Sequence, residues 1–158
     1  MVRFPHNIRT EIRFISFSSE EAGLRGSRRY VERYLDELKR LDTQLLNFEM
    51  VAHPKIHILP SDVNGTLQNS SEMVKSVVAA VVSAGVPHKV QSASLGICTD
   101  AAFFRRVDLK AATLVPFKVP QQTGAIYHQK WDTQEMLTID PMLNVLKLTL
   151  EWIRCGGE

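Results

Sequence analysis

The stretch Ile12-Arg13-Phe14-Ile15-Ser16-Phe17-Ser18-Ser19-Glu20-Glu21-Ala22-Gly23-Leu24-Arg25-Gly26-Ser27 decides how this chain is read. Its first part, over 11–18, is rich in Ile and Phe and predicts a buried strand. Neighbouring side chains in a strand point to opposite faces, so Glu20 and Glu21 can share one site only where the chain leaves the strand. The carboxyl end of a strand in an open α/β sheet is where such folds build ligand sites. The pair therefore suits a metal site in which one carboxylate binds the ion and the other moves a proton. The spacing leaves a second reading open, in which Ser18 or Ser19 caps a helix and the acids sit near its positive end.

Working outward, Ser27 is a candidate N-cap for a helix over 27–41 with Tyr30, Val31, Tyr34, Leu35 and Leu38 as its apolar stripe. The basic cluster around Arg28, Arg29 and Arg33, with acids interleaved, reads as its solvated face. Strands are expected over 45–52 and 55–59, followed by a turn cluster over 61–66. Apolar pairs Met73-Val74, Val77-Val78 and Val81-Val82 recur every four residues and predict a helix over 71–84 despite the valines. Further strands are expected over 88–94 and 112–119. A last helix over 141–153 would have Asp140-Pro141 as cap and first turn, with Ile139, Met142 or Leu143, Leu146, Leu150 and Ile153 along one side. This order predicts one α/β domain over 1–158, a three-layer α/β/α sandwich around a mixed central sheet.

A chain of 158 residues can bury a real core, and 44% hydrophobic with 23% charged residues is an ordinary globular composition. The net charge of +2 argues against nucleic acid or an anionic membrane as partner. No apolar stretch approaches the ~20 residues that span a bilayer. The first seven residues lack the apolar core of a signal peptide, and the compartment stays open. Cys98 and Cys155 are expected to be two separate, buried thiols. His53 and His57 invite a metal reading by their spacing, but Pro54 intervenes and no helical zinc motif surrounds them. His6 and His88 carry no motif.

The segment from Ile15 to Ser27 resembles the signature of the zinc-dependent aminopeptidase family, which includes bacterial leucyl aminopeptidases, glutamate carboxypeptidases and glutaminyl cyclases. Three more segments resemble it in order: Asn47-Phe48-Glu49-Met50, Thr99-Asp100-Ala101-Ala102-Phe103-Phe104, and Tyr127-His128 with Asp132-Thr133. The likeness covers most of the chain and implies a zinc-exopeptidase-like fold that hydrolyses peptide amide bonds. It places Glu20 as general base, with Glu21, Glu49 and His128 as zinc ligands. Asp100 and Tyr127 would line the substrate pocket, and Asp132 would orient His128 or, equally, stabilise its own turn. The substrate implied is a peptide or aminoacyl compound, and the cofactor is one or two zinc ions.

Two departures from the family's pattern matter. Glu49 stands where relatives more often carry Asp. The family's upstream histidine and bridging aspartate have no counterpart before Glu20, so the full two-zinc site is not encoded in this sequence. The chain therefore reads as the carboxyl-terminal portion of the family's domain, truncated at the N-terminus. Three readings stay open: such a portion of a peptidase, a single-zinc acyltransferase like the glutaminyl cyclases, or a non-catalytic protein-interaction domain on the same scaffold. Removal of the first strands would expose a sheet edge, which predicts a homo-oligomer or a partner chain covering it.

Overall fold

The structure, a computed structural model, describes residues 10–92, 98–116 and 128–156. Four strands form the main sheet: β1 (Gln44–Phe48), β2 (Ile56–Leu59), β5 (His88–Val90) and β6 (Lys110–Val115). Their order is β1-β6-β2-β5, with β1 parallel to β6, β2 antiparallel to β6, and β5 parallel to β2. A small hairpin of β3 (Ser61–Asp62) and β4 (Leu67–Gln68) stands beside it. The helices are α1 (Arg25–Arg40), α2 (Ser71–Ser83), α3 (Ala101–Arg105) and α4 (Ile139–Arg154). None is long and apolar enough to cross a membrane.

The three layers follow from the alternation of side chains along the strands. Ala112 and Leu114 of β6 join Ile56 and Ile58 of β2 on one face, where Met73, Val77, Ala80 and Val81 of α2 and Leu148 of α4 cover them. Ala111 of β6 faces the other way, among Val31 and Leu38 of α1 and Ala101 and Phe104 of α3. The expected α/β/α sandwich on a mixed sheet is the observed fold.

Several expectations are corrected by the packing. Residues 11–17 form no strand and have no ladder partner among the described residues, and Phe14 is 90% exposed. A strand becomes buried only when neighbours take its backbone groups and cover both faces. Here only Phe17 turns inward, against Tyr30 and Phe104. Ser27 does not cap α1. The helix begins earlier, after Leu24 in a left-handed conformation (φ 56°), and the Ser27 hydroxyl is buried against the Leu24 carbonyl. Strand β1 stops at Phe48 because the chain turns at Met50, whose φ is 47°.

The loop expected after residue 98 contains α3. In α4 the expected apolar side is largely solvent-facing, with Ile139, Met142, Leu143 and Leu146 all exposed. The helix packs instead through Val145, Leu148 and Trp152, the last donating from Nε1 to Ser76 Oγ at 2.6 Å. Since α4 is apolar on two sides, period alone could not choose between them. Its first turn begins at Ile139 after Thr138, so Asp140 is inside the helix and not its cap. Cys98 and Cys155 are both free, as expected, but both are exposed. The ends of two expected strands, at 93–94 and 117–119, lie outside the described residues, as do His6 and Tyr127.

Candidate metal centre

Glu20 and Glu21 sit in a tight loop built by backbone bonds. Gly23 N and Leu24 N both donate to Glu20 O, Arg25 N to Ser19 O, and Gly26 N to Ser18 O. The last bond brings two backbones so close that a Cβ on Gly26 would collide with Ser18 O. Neither Ser18 nor Ser19 caps a helix with its side chain, since α1 starts at Arg25 and has no acid in its first turn. The helix-capping reading of the acidic pair is thereby excluded. Left-handed backbone at Ser19 (φ 57°), Met50 (47°) and His128 (59°) flanks or carries the candidate residues. Non-glycine residues held there concentrate at functional sites.

His128 Nε2 and Glu21 Oε1 lie 2.5 Å apart although 107 residues separate them. Glu49 follows β1 directly, where its N–H donates to Leu114 O of the parallel neighbour β6, and its Oε1 accepts from Asn47 Nδ2 at 3.0 Å. Asp100 immediately precedes α3 and is buried, and its Oδ1 has no hydrogen-bond partner among the described residues.

The electrostatics tie these groups together. Burial first, then the charges of Glu21, Asp100 and Asp62, push the Glu20 carboxyl above the usual carboxylate range, while His128 pulls it back. Glu49 is raised to about 7, chiefly by burial, with Glu20, Asp100 and Asp62 adding to the effect and the Asn47 hydrogen bond opposing it. Asp100 is raised by burial and by Asp62, against the Ser27 hydroxyl. Negative charge is thus concentrated around Glu20, Glu49, Asp62 and Asp100, and a nearby cation would relieve it.

The donors fit zinc by chemistry, since carboxylate oxygens and an imidazole nitrogen are its common ligands. Of the candidate ligands, Glu21 and His128 are in contact. Among the described residues no three His, Cys, Asp or Glu side chains approach closely enough to share one ion. Asp132 sits in a turn closed by its own N–H donating to Gln129 O. His53 Nδ1 accepts from Lys55 N, and His57 is held below its usual range by burial and by Lys55, His53 and Lys89.

Asp62, hidden in the turn cluster, was missed from sequence. It is fully buried and its charge acts on Glu20, Glu49 and Asp100. One signal could have found it: an acid soon after the apolar run Ile56–Leu59, as Glu49 follows the run Gln44–Phe48.

A sandwich of this kind is the fold of aminopeptidases. The LapA aminopeptidase of Legionella pneumophila superposes with a TM-score of 0.71 at 19% identity, over 92% of this chain and 39% of that one. BSAP, a zinc aminopeptidase from Bacillus subtilis, gives 0.65 at 20% identity, over 89% and 34%. Leucine aminopeptidase 1 of Paracoccidioides brasiliensis (strain Pb03) is 26% identical over 91% of this chain and 38% of its own length. The chain belongs to Peptidase family M28, which matches residues 2–153. It spans less than two fifths of the length of each of these three relatives.

Proposed function

We propose that this chain carries the hydrolytic centre of a zinc-dependent aminopeptidase. One observation carries the reading: Glu20 is partly buried, raised above the usual carboxylate range, and electrostatically coupled to Glu21, His128 and Glu49. A general base works best when its pKa is lifted toward the operating pH and its oxygens stay available. Glu21, His128 and Glu49 would hold zinc, which supplies Lewis acidity toward the scissile carbonyl and toward water.

Glu20 would accept a proton from the attacking water on a carboxylate oxygen and return it to the departing amine. Asp100, whose buried Oδ1 has no hydrogen-bond partner among the described residues, would receive a donor group of a peptide or aminoacyl substrate, together with Tyr127. Asp132 would support the turn that presents His128.

The test is zinc content after metal loading, followed by hydrolysis of L-leucine p-nitroanilide by wild type and Glu20→Ala. Zinc uptake with turnover that depends on Glu20 is expected. A folded chain that takes up no zinc and releases no nitroaniline overturns the reading and favours a non-catalytic interaction domain.

A further inference from the structure

Asp62 is a carboxylate with no solvent exposure, and the groups that bond to it, all from the described residues, are neutral. Burying an ion is expensive, and an apolar residue of similar size would serve stability as well or better. Its three bonds show what it holds. Oδ1 accepts from Val63 N at 2.6 Å and from Thr99 N at 3.0 Å, and Oδ2 accepts from the Thr99 hydroxyl at 2.5 Å.

A threonine hydroxyl has one proton. With that proton given to Asp62, Thr99 Oγ1 can only accept from its other neighbours, the Thr113 hydroxyl at 3.0 Å and Ala101 N at 3.3 Å. Thr99 is therefore fixed from three sides: the β3 hairpin, the central strand β6 and the first turn of α3. The next residue is Asp100. Thr113 also pairs in register with Asn47 of β1, whose side chain holds Glu49. Two paired positions of neighbouring strands, Thr113 and Asn47, thus bond to Thr99 and to Glu49.

We infer that Asp62 is a positioning residue, which fixes Thr99 and thereby holds Asp100 in place beside the acidic side chains of the candidate site. The inference rests on the aminopeptidase reading for its consequence in catalysis, but not for the clamp itself. Asp62 touches no substrate; its effect passes through Thr99.

The experiment uses the full chain loaded with zinc and L-leucine p-nitroanilide as substrate. Asp62→Ala and Thr99→Val break the clamp, whereas Thr99→Ser keeps its bonds and Asp62→Asn keeps its shape, with the amide Nδ2 donating to Thr99 Oγ1 and the Thr99 hydroxyl turning to Thr113. The breaking variants are expected to raise KM about tenfold or more with kcat within about threefold, and the conservative ones to restore KM to within about threefold. A merely structural role does the reverse, because loss of folded protein lowers apparent kcat and leaves KM unchanged; that result overturns the inference.

Wild type without turnover would sink the aminopeptidase reading separately. The clamp is then decided by hydrogen exchange. In Asp62→Ala and Thr99→Val, amides of Thr99, Ala101 and Ala102 should exchange about tenfold faster while the core amides of α2 stay unmoved. Equal exchange in wild type and both variants overturns it.

Discussion

The two faces of the sheet are built from the same strands but to different ends. On the α2/α4 face the interior is mainly aliphatic: Ile56, Ile58, Val77, Val81, Leu114 and Leu148 are fully buried, with Trp152 Nε1 donating to Ser76 Oγ as a polar link. On the α1/α3 face, Phe17, Tyr30, Tyr34 and Phe104 form an aromatic cluster. Beside it lie the buried polar residues Asn47, Asp62, Thr99, Asp100 and Thr113. Strand β6 shows the switch within four residues, giving Ala112 and Leu114 to one side and Ala111 and Thr113 to the other. An aliphatic face maximises burial at little risk of unsatisfied groups. The polar face accepts that risk in order to hold carboxylates where they repel one another. One side stabilises the domain, and the other spends part of that stability on the site.

The sharpest way to break this division is to alter chemistry without altering packing. Glu20→Gln keeps the shape of the loop and removes the base, so kcat should fall by about 10²- to 10⁴-fold with thermal stability close to wild type. An equal loss of stability would mean that Glu20 serves the fold. Next in size is a matched pair of truncations. Leu148→Ala on the aliphatic face and Phe104→Ala on the polar face should each cost roughly 2–5 kcal/mol by urea unfolding. Only Phe104→Ala should also raise KM for the protein that remains folded, because α3 carries Asp100 at its head. If both variants leave KM unchanged, the two faces do not divide the labour in this way.

What could be read from sequence follows the same division. The aliphatic face was legible because α2 repeats its apolar pairs every four residues and only one partner, α2 itself, had to be placed on the sheet. The faces of α4 were not, because both sides of that helix are apolar and the contact with α2, through Trp152 and Ser76, is a tertiary fact. For the site, the ordered motifs brought Glu20, Glu21, Glu49, Asp100 and His128 into one proposal, and the Glu21–His128 contact across 107 residues agrees with it. Asp62 was illegible for a local reason. Val63 and Asn64 both have positive φ, and Asp-Val-Asn-Gly composition announces a turn so strongly that the acid looked like part of it. Residues 11–17 failed in the opposite sense, since an apolar run states that burial is needed without naming the neighbour that supplies it.

The loop between these regions offers a smaller but sharper probe. Gly26 lies where a Cβ would overlap Ser18 O and come within 2.8 Å of Ser18 N, both backbone atoms that cannot swing away. Gly26→Ala should therefore cost about 1–3 kcal/mol through overpacking, only partly offset by alanine's better helix propensity. The same displacement moves Glu20 and Glu21, so zinc affinity should drop along with stability. Gly23→Ala is the control for crowding, because a Cβ there would meet no atom within 4 Å, although the φ of 94° still disfavours any side chain. Zinc affinity unchanged in Gly26→Ala would detach the loop's geometry from the metal centre.

The smallest effect is the pH dependence of the metal-free protein, and its sign is opposite to that of ordinary acid denaturation. Glu49 is raised from 4.5 to about 7 in the folded chain. Between those values the folded state binds the proton more tightly than the unfolded one, so stability is greatest below about 4.5 and is lost as pH rises toward 7. After allowance for partial exposure the loss should be about 1–2 kcal/mol. Glu151, held down to about 2 by Arg154 and Ser83, acts in the other direction but only at lower pH, outside this window. Urea unfolding of chelator-treated protein at pH 5 and pH 7.5 should therefore show the higher midpoint at the lower pH, and Glu49→Gln should flatten the difference. Zinc should reverse the sign, because it favours the ionised carboxylates that burial and mutual repulsion disfavour. A midpoint that rises with pH in the metal-free chain would show that the polar face carries no electrostatic cost, and the contrast between the two faces would lose its physical basis.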